Sequence, residues 1–429
     1  MTTDQMLLFV NASQVVTCAG PGRARRGTEL RDAGVRTGAA VLVSGTTIAS
    51  VDDEATLRRM HPDATLVDCG RGVLMPGFVD SHTHGVFGRA RFEEQELRAL
   101  GHDYMEIARR GGGIHSSVRD LRTRTEDELT RLALPRLARL ASSGVTTVEV
   151  KSGYGLTLED ELKTLRVIRR LAELLPMRIV PTFLGAHEIP LEYRERAGGR
   201  DEYVALLVEE MIPAVARESL ARFADVFCET GVFTAAESRR ILTAAREHGL
   251  GIKLHADELT DAGGAALAAE LGATSADHLA AVSDAGMEAL RSASTVATLL
   301  PGTMLFLGKP KQAPARAMIE AGVAVALATD FNPGTSPTTN FPLILTLAVS
   351  QLRLAVGEAL VAATVNGAAA LGIADHVGQL APGFSADLAL FDAEDVRELP
   401  YWYGDRRLLA SWTRGKPCHV RNLGVRYEA

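Results

Sequence analysis

The 429-residue sequence contains four cysteines, Cys18, Cys69, Cys228 and Cys418, and no C-x-x-C pair. Cysteines scattered in this way exclude a disulfide scaffold and read as reduced thiols in a cytoplasmic protein. No apolar run reaches the roughly 18 residues that a membrane helix needs. No N-terminal stretch joins a basic start to an apolar core and a small-residue cleavage site, so no secretory leader is expected. There is no excess of positive charge. The net charge of −7 speaks against a nucleic-acid partner and for solubility. Low-complexity linkers and sequence repeats are also missing.

What is present is a rhythm. Charged residues are 23% and hydrophobic ones 46%, as in a folded globular protein. The length exceeds one ordinary core and implies a large domain with a smaller one, or one large barrel. Between about residues 73 and 330, eight short apolar or β-branched runs alternate with longer helical stretches. The runs are "VLMPGFVDSHTH", "VTTVEVKSG", "RIVPTFLGAH", "FADVFCE", "GIKLHAD", "TSADHL", "TVATLLPG" and "VAVALATD". In the segment that follows the second run, Leu158, Leu162, Leu165, Ile168 and Leu175 recur at helical spacing. Strand then helix, eight times over, predicts an α/β fold of the (β/α)8 (TIM) barrel type across 73–375. A doubly wound open sheet is the alternative. The flanks read as short strands: "MLLFVNASQVVT", "AAVLVSGTTIASV" and "ATLVDCG" before the barrel, "ADLALFDA" and "PCHVRNLGV" after a helix around 357–371. Neither flank alone has enough strands to bury a face. Residues 1–72 and 376–429 are therefore expected to form one composite β-sandwich.

In a (β/α)8 barrel, chemistry sits at the C-terminal ends of the strands. The eight runs end in His82-Thr-His84, Lys151 with Tyr154, His187-Glu188, Glu229, His255-Ala-Asp257-Glu258, Asp277-His278, Pro301-Gly302, and Asp330 followed by Asn332, Gly334 and Thr335. Five of the 11 histidines fall at these ends. Residues i and i+2 of a strand face the same side, so His82 and His84 can share one ion. Alone, such a pair could equally be two polar residues facing water. With His255 and Asp330 it becomes a set of imidazoles plus one carboxylate, which suits zinc or iron with a position open for water. Asp330 can then take and return a proton. His278 either polarises a carbonyl or is a core histidine on a backbone carbonyl. Glu258 is either a contact to a ring nitrogen and proton shuttle or a loop carboxylate. Lys151 could be a carboxylated bridge between two metals, but a structural ion pair is preferred, so one metal is expected. Arg91 is either a bidentate carboxylate clamp or a surface arginine. "RRGGGI" (109–114) lacks the Lys-Ser/Thr of a phosphate loop and reads as a lid.

The stretches "PGFVDSHTHGVFGRAR", "GGGIHSSVRDLRTRTEDEL", "EVKSGYGL", "PTFLGAHEIP", "LHADEL", "GATSADHL", "LLPGTMLFLGK" and "ATDFNPGTSPTTN" together resemble the imidazolonepropionase family of the amidohydrolase superfamily. The resemblance spans nearly the whole chain. It implies metal ligation by His82, His84, His255 and Asp330, with one divalent or trivalent ion per subunit, zinc or iron. It implies substrate contacts from Arg91, Tyr154 and His187, with Arg91 on a propionate, and Glu258 orienting ring and water. His278 would be the catalytic histidine, and Asn332, Gly334 and Thr335 would line the product carboxylate site. The implied reaction is hydrolysis of the ring amide of 4-imidazolone-5-propanoate to N-formimidoyl-L-glutamate by a cytoplasmic homodimer acting on a small molecule, without nucleic acid or membrane. The sequence departs from the family at Gly85, where a bulky apolar residue is usual, and in the charged "GRARFEEQE" with Arg89 and Phe92 as extras. The terminal "CHVRNLGVRYEA" carries none of the resemblance. Two rivals stand beside this reading. One is another ring hydrolase or aromatic deaminase of the superfamily, which the carboxylate clamp would separate. The other is a catalytically dead barrel used as a scaffold, which should have lost ligands.

Overall fold

Eight parallel strands follow one another in the order of the chain: β1 (Phe78–Asp80), β2 (Val145–Lys151), β3 (Arg178–Ala186), β4 (Phe223–Cys228), β5 (Gly251–Ala256), β6 (Ser275–His278), β7 (Val296–Leu299) and β8 (Val325–Leu327). They belong to a computed structural model that describes residues 6–102, 112–421 and the backbone of 427–428. Each strand pairs in parallel with the next. Helices fill the connections, so both faces of each strand are covered, which is why the strands read as near-continuous apolar runs. Helix starts are set locally. Thr125 with Glu128 and Thr234 with Glu237 form capping boxes, and Thr157 accepts from the Asp160 amide. The helix Leu158–Leu174 turns Leu165, Ile168 and Leu171 into the core, as its periodicity predicts.

The first and last barrel strands do not share a regular ladder. They are joined at the rim, where the Asp330 amide donates to the His82 carbonyl (3.1 Å) and the His84 amide to the Phe331 carbonyl (2.8 Å). Below that, the Asp80 carboxylate accepts from the Thr329 amide (2.9 Å) and hydroxyl (2.6 Å), a side chain standing in for a strand. The seam that closes the barrel is thus built from the residues beside the predicted ligands.

The run 73–84 is not one strand. Val73–Pro76 pairs with Leu388–Phe391 and Gln14–Val16 in a six-stranded sheet, and only Phe78–Asp80 enters the barrel. Gly77 is the switch between them. Its amide still serves the terminal sheet (Asp387 carbonyl, 3.0 Å), and a Cβ there would lie 2.2 Å from the Thr146 side chain. Proximity to Thr146 therefore forces glycine and lets the chain change sheets.

The six-stranded sheet runs Lys416–Val420, Leu408–Thr413, Leu388–Phe391, Val73–Pro76, Gln14–Val16, Val35–Arg36. It faces a five-stranded sheet built on Met6–Val10, Ala39–Ser44, Thr47–Asp53, Thr65–Asp68 and Tyr427–Glu428. Both chain ends contribute to this sandwich. Phe9 and Trp412 meet edge to face across it, centroids 4.8 Å apart, within an apolar core that includes Leu74, Leu388 and Leu390. The alternate residues Val73, Met75, Ala389 and Phe391 point the other way, into the barrel's core. The inner sheet is thus buried on both faces. No described helix is long and apolar enough to cross a membrane.

Candidate metal centre and active site

The C-terminal rim brings together the four predicted ligands. The Nε2 atoms of His82 and His84 are 3.3 Å apart, and those of His84 and His255 are 3.4 Å apart. Asp330 Oδ1 is 3.5 Å from the Nε2 of both His82 and His84. All four side chains are buried. Burial pushes the His82 and His84 rings well below the usual imidazole range, with neighbouring cations and histidines adding to it, so the rings are neutral. His82 Nδ1 lies 2.6 Å from Asp277 Oδ2, which places its proton there and leaves a lone pair on Nε2. His255 Nδ1 is 3.1 Å from Asp225 Oδ2, though poorly aligned. Converging lone pairs repel unless a cation lies between them. Four ligand atoms set tetrahedrally at about 2.0–2.1 Å from zinc would stand about 3.3 Å from one another, close to the spacings among His82, His84 and Asp330 and between His84 and His255. The donor set fits a metal ion.

Backbone strain gathers at the same rim. Asp257, His278, Leu279 and Asp330 have φ of 49°, 80°, 61° and 52°. Non-glycine residues take these values at a cost of roughly 1–3 kcal/mol each and persist where surrounding structure imposes them.

Beneath the predicted ligands lies a charged layer, of which the sequence points only to an ion pair at Lys151. Lys151 Nζ is 2.7 Å from Glu149 Oε2, 2.8 Å from Asp225 Oδ2 and 3.7 Å from Asp277 Oδ2. Lys253 Nζ is 3.2 Å from Glu149 Oε1 and donates to the Ser81 carbonyl at 3.0 Å. None of these five side chains is exposed. Burial alone would lower the Lys151 pKa, but its three carboxylates outweigh this and raise it. A lysine held as ammonium cannot be carboxylated, so its geometry is that of the ion pair. A signal for this layer existed: Glu149 with Lys151, and Lys253 with His255, are i, i+2 pairs inside apolar strands.

His278 and Glu258 stand at the edge of the cluster. The His278 ring is 5.2 Å from that of His255 and 5.3 Å from that of His82. Its Nδ1 has no hydrogen bond and lies 3.6 Å from Glu258 Oε2. Burial pushes Glu258 up to about 8, helped by the Asp330 and Glu229 carboxylates, and pushes Asp330 up to about 6. Asp330 Oδ2 accepts from the Thr303 hydroxyl at 2.6 Å, another contact without a sequence signal. His187 donates through Nδ1 to the Gly153 carbonyl (2.9 Å), so its Nε2 is free. Its ring stacks on His84 at 5.1 Å, and burial lowers it to about 3. Tyr154 is buried 5.4 Å from His187.

Arg91 is not a surface arginine. Its side chain is 11% exposed, 3.5 Å from Glu94 Oε1, and its Nε has no hydrogen-bond partner among the described residues. Glu94 is itself held by the Gly113 amide at 2.7 Å. A Cβ on Gly334 would fall 1.3 Å from Arg91 Nη2, so the guanidinium rests against that glycine. Its charge acts on both Tyr154 and His187. Arg98, unnoticed in the sequence, donates to the Gly334 carbonyl at 3.1 Å. The Asn332 side chain turns inward to its own loop. Its amide group donates to the Asp330 carbonyl and the Thr335 hydroxyl, and its oxygen accepts from the Gly334 and Thr335 amides. With both donors and both lone pairs engaged, it shapes the loop beside Arg91. Gly85 lies against Leu137, where a Cβ would come within 2.9 Å of its side chain. Arg89 and Phe92 are largely exposed. Of "RRGGGI", residues 109–111 lie outside the described residues, and Ile114 opens a helix to Arg122.

Comparison with known proteins agrees with this geometry. Residues 89–401 match the amidohydrolase family. The chain is 51% identical over 402 residues to an imidazolonepropionase of Symbiobacterium thermophilum, covering 93% of each chain. It is 48% identical over 400 residues to one of Myxococcus xanthus, again covering 93% of each. Among solved structures it resembles an adenosine deaminase from Xanthomonas campestris with bound zinc (TM-score 0.70, 20% identity, 97% of this chain and 93% of that one). It also resembles a 5-methylcytosine deaminase from Klebsiella pneumoniae (TM-score 0.70, 18% identity, 98% and 100%). At such identities the solved structures speak for the barrel-plus-sandwich fold alone.

Proposed function

The chain belongs to the amidohydrolase family and, within it, to the imidazolonepropionases, and from that premise we propose how its own residues perform the reaction. It is a metal-dependent hydrolase of histidine degradation that opens the ring amide of 4-imidazolone-5-propanoate to N-formimidoyl-L-glutamate. The reading of the site is carried by one observation: His82, His84 and Asp330 place their ligand atoms 3.3–3.5 Å from one another, and His255 Nε2 lies 3.4 Å from that of His84. His82, His84, His255 and Asp330 hold the metal in this reading. When bound, it supplies Lewis acidity that activates water near neutral pH. The metal in this reading is a zinc or iron ion.

The remaining steps belong to side chains. Asp330 takes a proton from the attacking water and returns it to the leaving ring nitrogen. Glu258 is neutral below about pH 8 and offers an O–H toward His278 Nδ1, favouring the tautomer with its proton on Nε2. That Nε2–H then supports the carbonyl oxygen as it gains charge. Glu258 also orients the imidazolone ring. Arg91 holds the propionate, with Tyr154 and the free Nε2 of His187 lining the ring pocket and Gly334 and Thr335 the carboxylate end. The four free thiols support a cytoplasmic setting, and the family resemblance supports a homodimer, which light scattering would check.

The test is the loss of 4-imidazolone-5-propanoate absorbance with metal-assayed protein and the appearance of N-formimidoyl-L-glutamate. No turnover by metal-loaded protein would overturn the reading. Arg91→Ala is expected to raise KM by about 10²-fold, the scale of a lost charge-assisted bidentate pair of 1.5–3 kcal/mol. An unchanged KM removes the clamp.

A further inference from the structure

Glu229 follows the fourth barrel strand, is almost completely buried, and enters the chemistry above only through the charge it sets beside Glu258. Its carboxylate is spent on the backbone that follows Glu258 and on its own neighbour Thr230. Oε2 accepts from the Leu259 amide at 2.8 Å and the Thr260 amide at 3.3 Å. Oε1 accepts from the Thr230 amide at 2.9 Å and from the Thr260 hydroxyl. On the other side of the same loop, Asp257 accepts from the Ala262, Gly264 and Ala265 amides at 2.9–3.0 Å, at the start of the helix Gly264–Leu271. Asp257 itself stands at φ 49°, held there by these bonds. Glu258 is the residue between the two anchors.

A loop of this length with no anchor would leave the Glu258 side chain free to swing into water. With one anchor, it could still pivot. Glu229 grips the two amides that follow Glu258, and Asp257, the residue before it, grips the amides of Ala262, Gly264 and Ala265, so Glu258 sits between two held points of the backbone that fix its Cα and the direction of its side chain. We infer that Glu229 is a positioning residue for the reaction, acting through Glu258 by fastening the 258–260 backbone to the end of β4. This rests on the reading that Glu258 contacts substrate.

The experiment is a double-mutant cycle on metal-loaded enzyme, with kcat, KM and metal content measured for Glu229→Ala, Glu258→Gln and the double variant. A misplacement on the ångström scale costs about 10²-fold. Glu229→Ala is expected to lose about that factor, mainly in kcat, with metal content unchanged. In the Glu258→Gln background it should cost less than about 3-fold, because the residue it serves is already disabled. Glu229→Gln, which keeps one carbonyl oxygen for the Leu259 amide, should recover part of the loss. If Glu229→Ala fails to fold, Glu229→Gln and Thr260→Val enter the cycle in its place. Additive losses, or a loss that follows metal content, would overturn the inference and leave Glu258's role standing. A Glu258→Gln enzyme with normal kinetics would instead sink the role of Glu258 and this inference with it.

Discussion

The molecule has two interiors made on opposite principles. The sandwich core between the terminal sheets is built on Phe9, Val41, Leu74, Leu388, Leu390 and Trp412. The barrel interior, equally sealed from water, holds Lys151, Lys253, Glu149, Asp225 and Asp277. Burying one such ion costs several kcal/mol, and even good ion pairs seldom recover it. The sandwich shows that this chain can build a core without charge. Charge inside the barrel therefore serves something other than stability, and it lies directly beneath the atoms that converge on the metal position.

The widest separation between the two interiors is expected from Asp330→Asn. It should lower turnover by at least about 10²–10⁴-fold, assayed with metal content determined in parallel, while the melting temperature of the sandwich side is undisturbed. Retained activity would end the proton-shuttle role. Trp412→Ala should do the reverse. It removes roughly 3–5 kcal/mol of stability, read by denaturant titration, with kcat per folded molecule unchanged. A fall in kcat would mean that the inner sheet transmits strain into the barrel through Phe391 and Phe78, whose rings are 5.6 Å apart.

Asp277→Asn probes the charged layer directly. It removes the carboxylate that orients His82 and should weaken metal affinity by about 10–100-fold, measured by competition with a chelating dye. If only melting temperature fell and metal affinity held, the layer would be structural after all. A further effect is expected on the pH dependence of stability. Glu258 ionises at about 8 in the fold, against roughly 4.3 when unfolded. The folded state therefore binds the extra proton between these values, and stability falls as pH rises through that window. Glu258→Gln should flatten the slope by at most about 1.4 kcal/mol per pH unit between pH 5 and 8, read as melting temperature against pH. An unchanged slope would mean that Glu258 is an ordinary solvated carboxylate.

The proposed ligands are legible because strand ends are where an apolar run stops, and His82, His84, His255 and Asp330 interrupt those runs with polar side chains that the structure buries. Arg91 was undecided because nothing in a linear sequence places it against Gly334, which lies in the eighth βα loop. The charged layer was hidden in plain view. Lys253 in "GIKLHAD" and Glu149 in "VTTVEVKSG" sit in strands whose apolar and β-branched residues dominate the pattern and mask the charge. Asn332 kept its place beside the carboxylate end but holds the loop through its amide. The break of 73–84 into two strands hangs on one glycine and the Thr146 side chain that it meets, a contact between residues far apart in the chain.

The seam has a consequence for how the protein comes into being. Asp80 and Thr329, which join the first and last barrel strands, are 249 residues apart. Such a pairing waits for almost the whole barrel to be synthesised, and contacts between distant residues are slow to form. A nascent or truncated chain ending before β8 can present His82, His84 and His255, but without Asp330 and the seam it has no fourth ligand and no closed rim. Metal retention would thus report on completion of the chain, with loading as the last act of assembly.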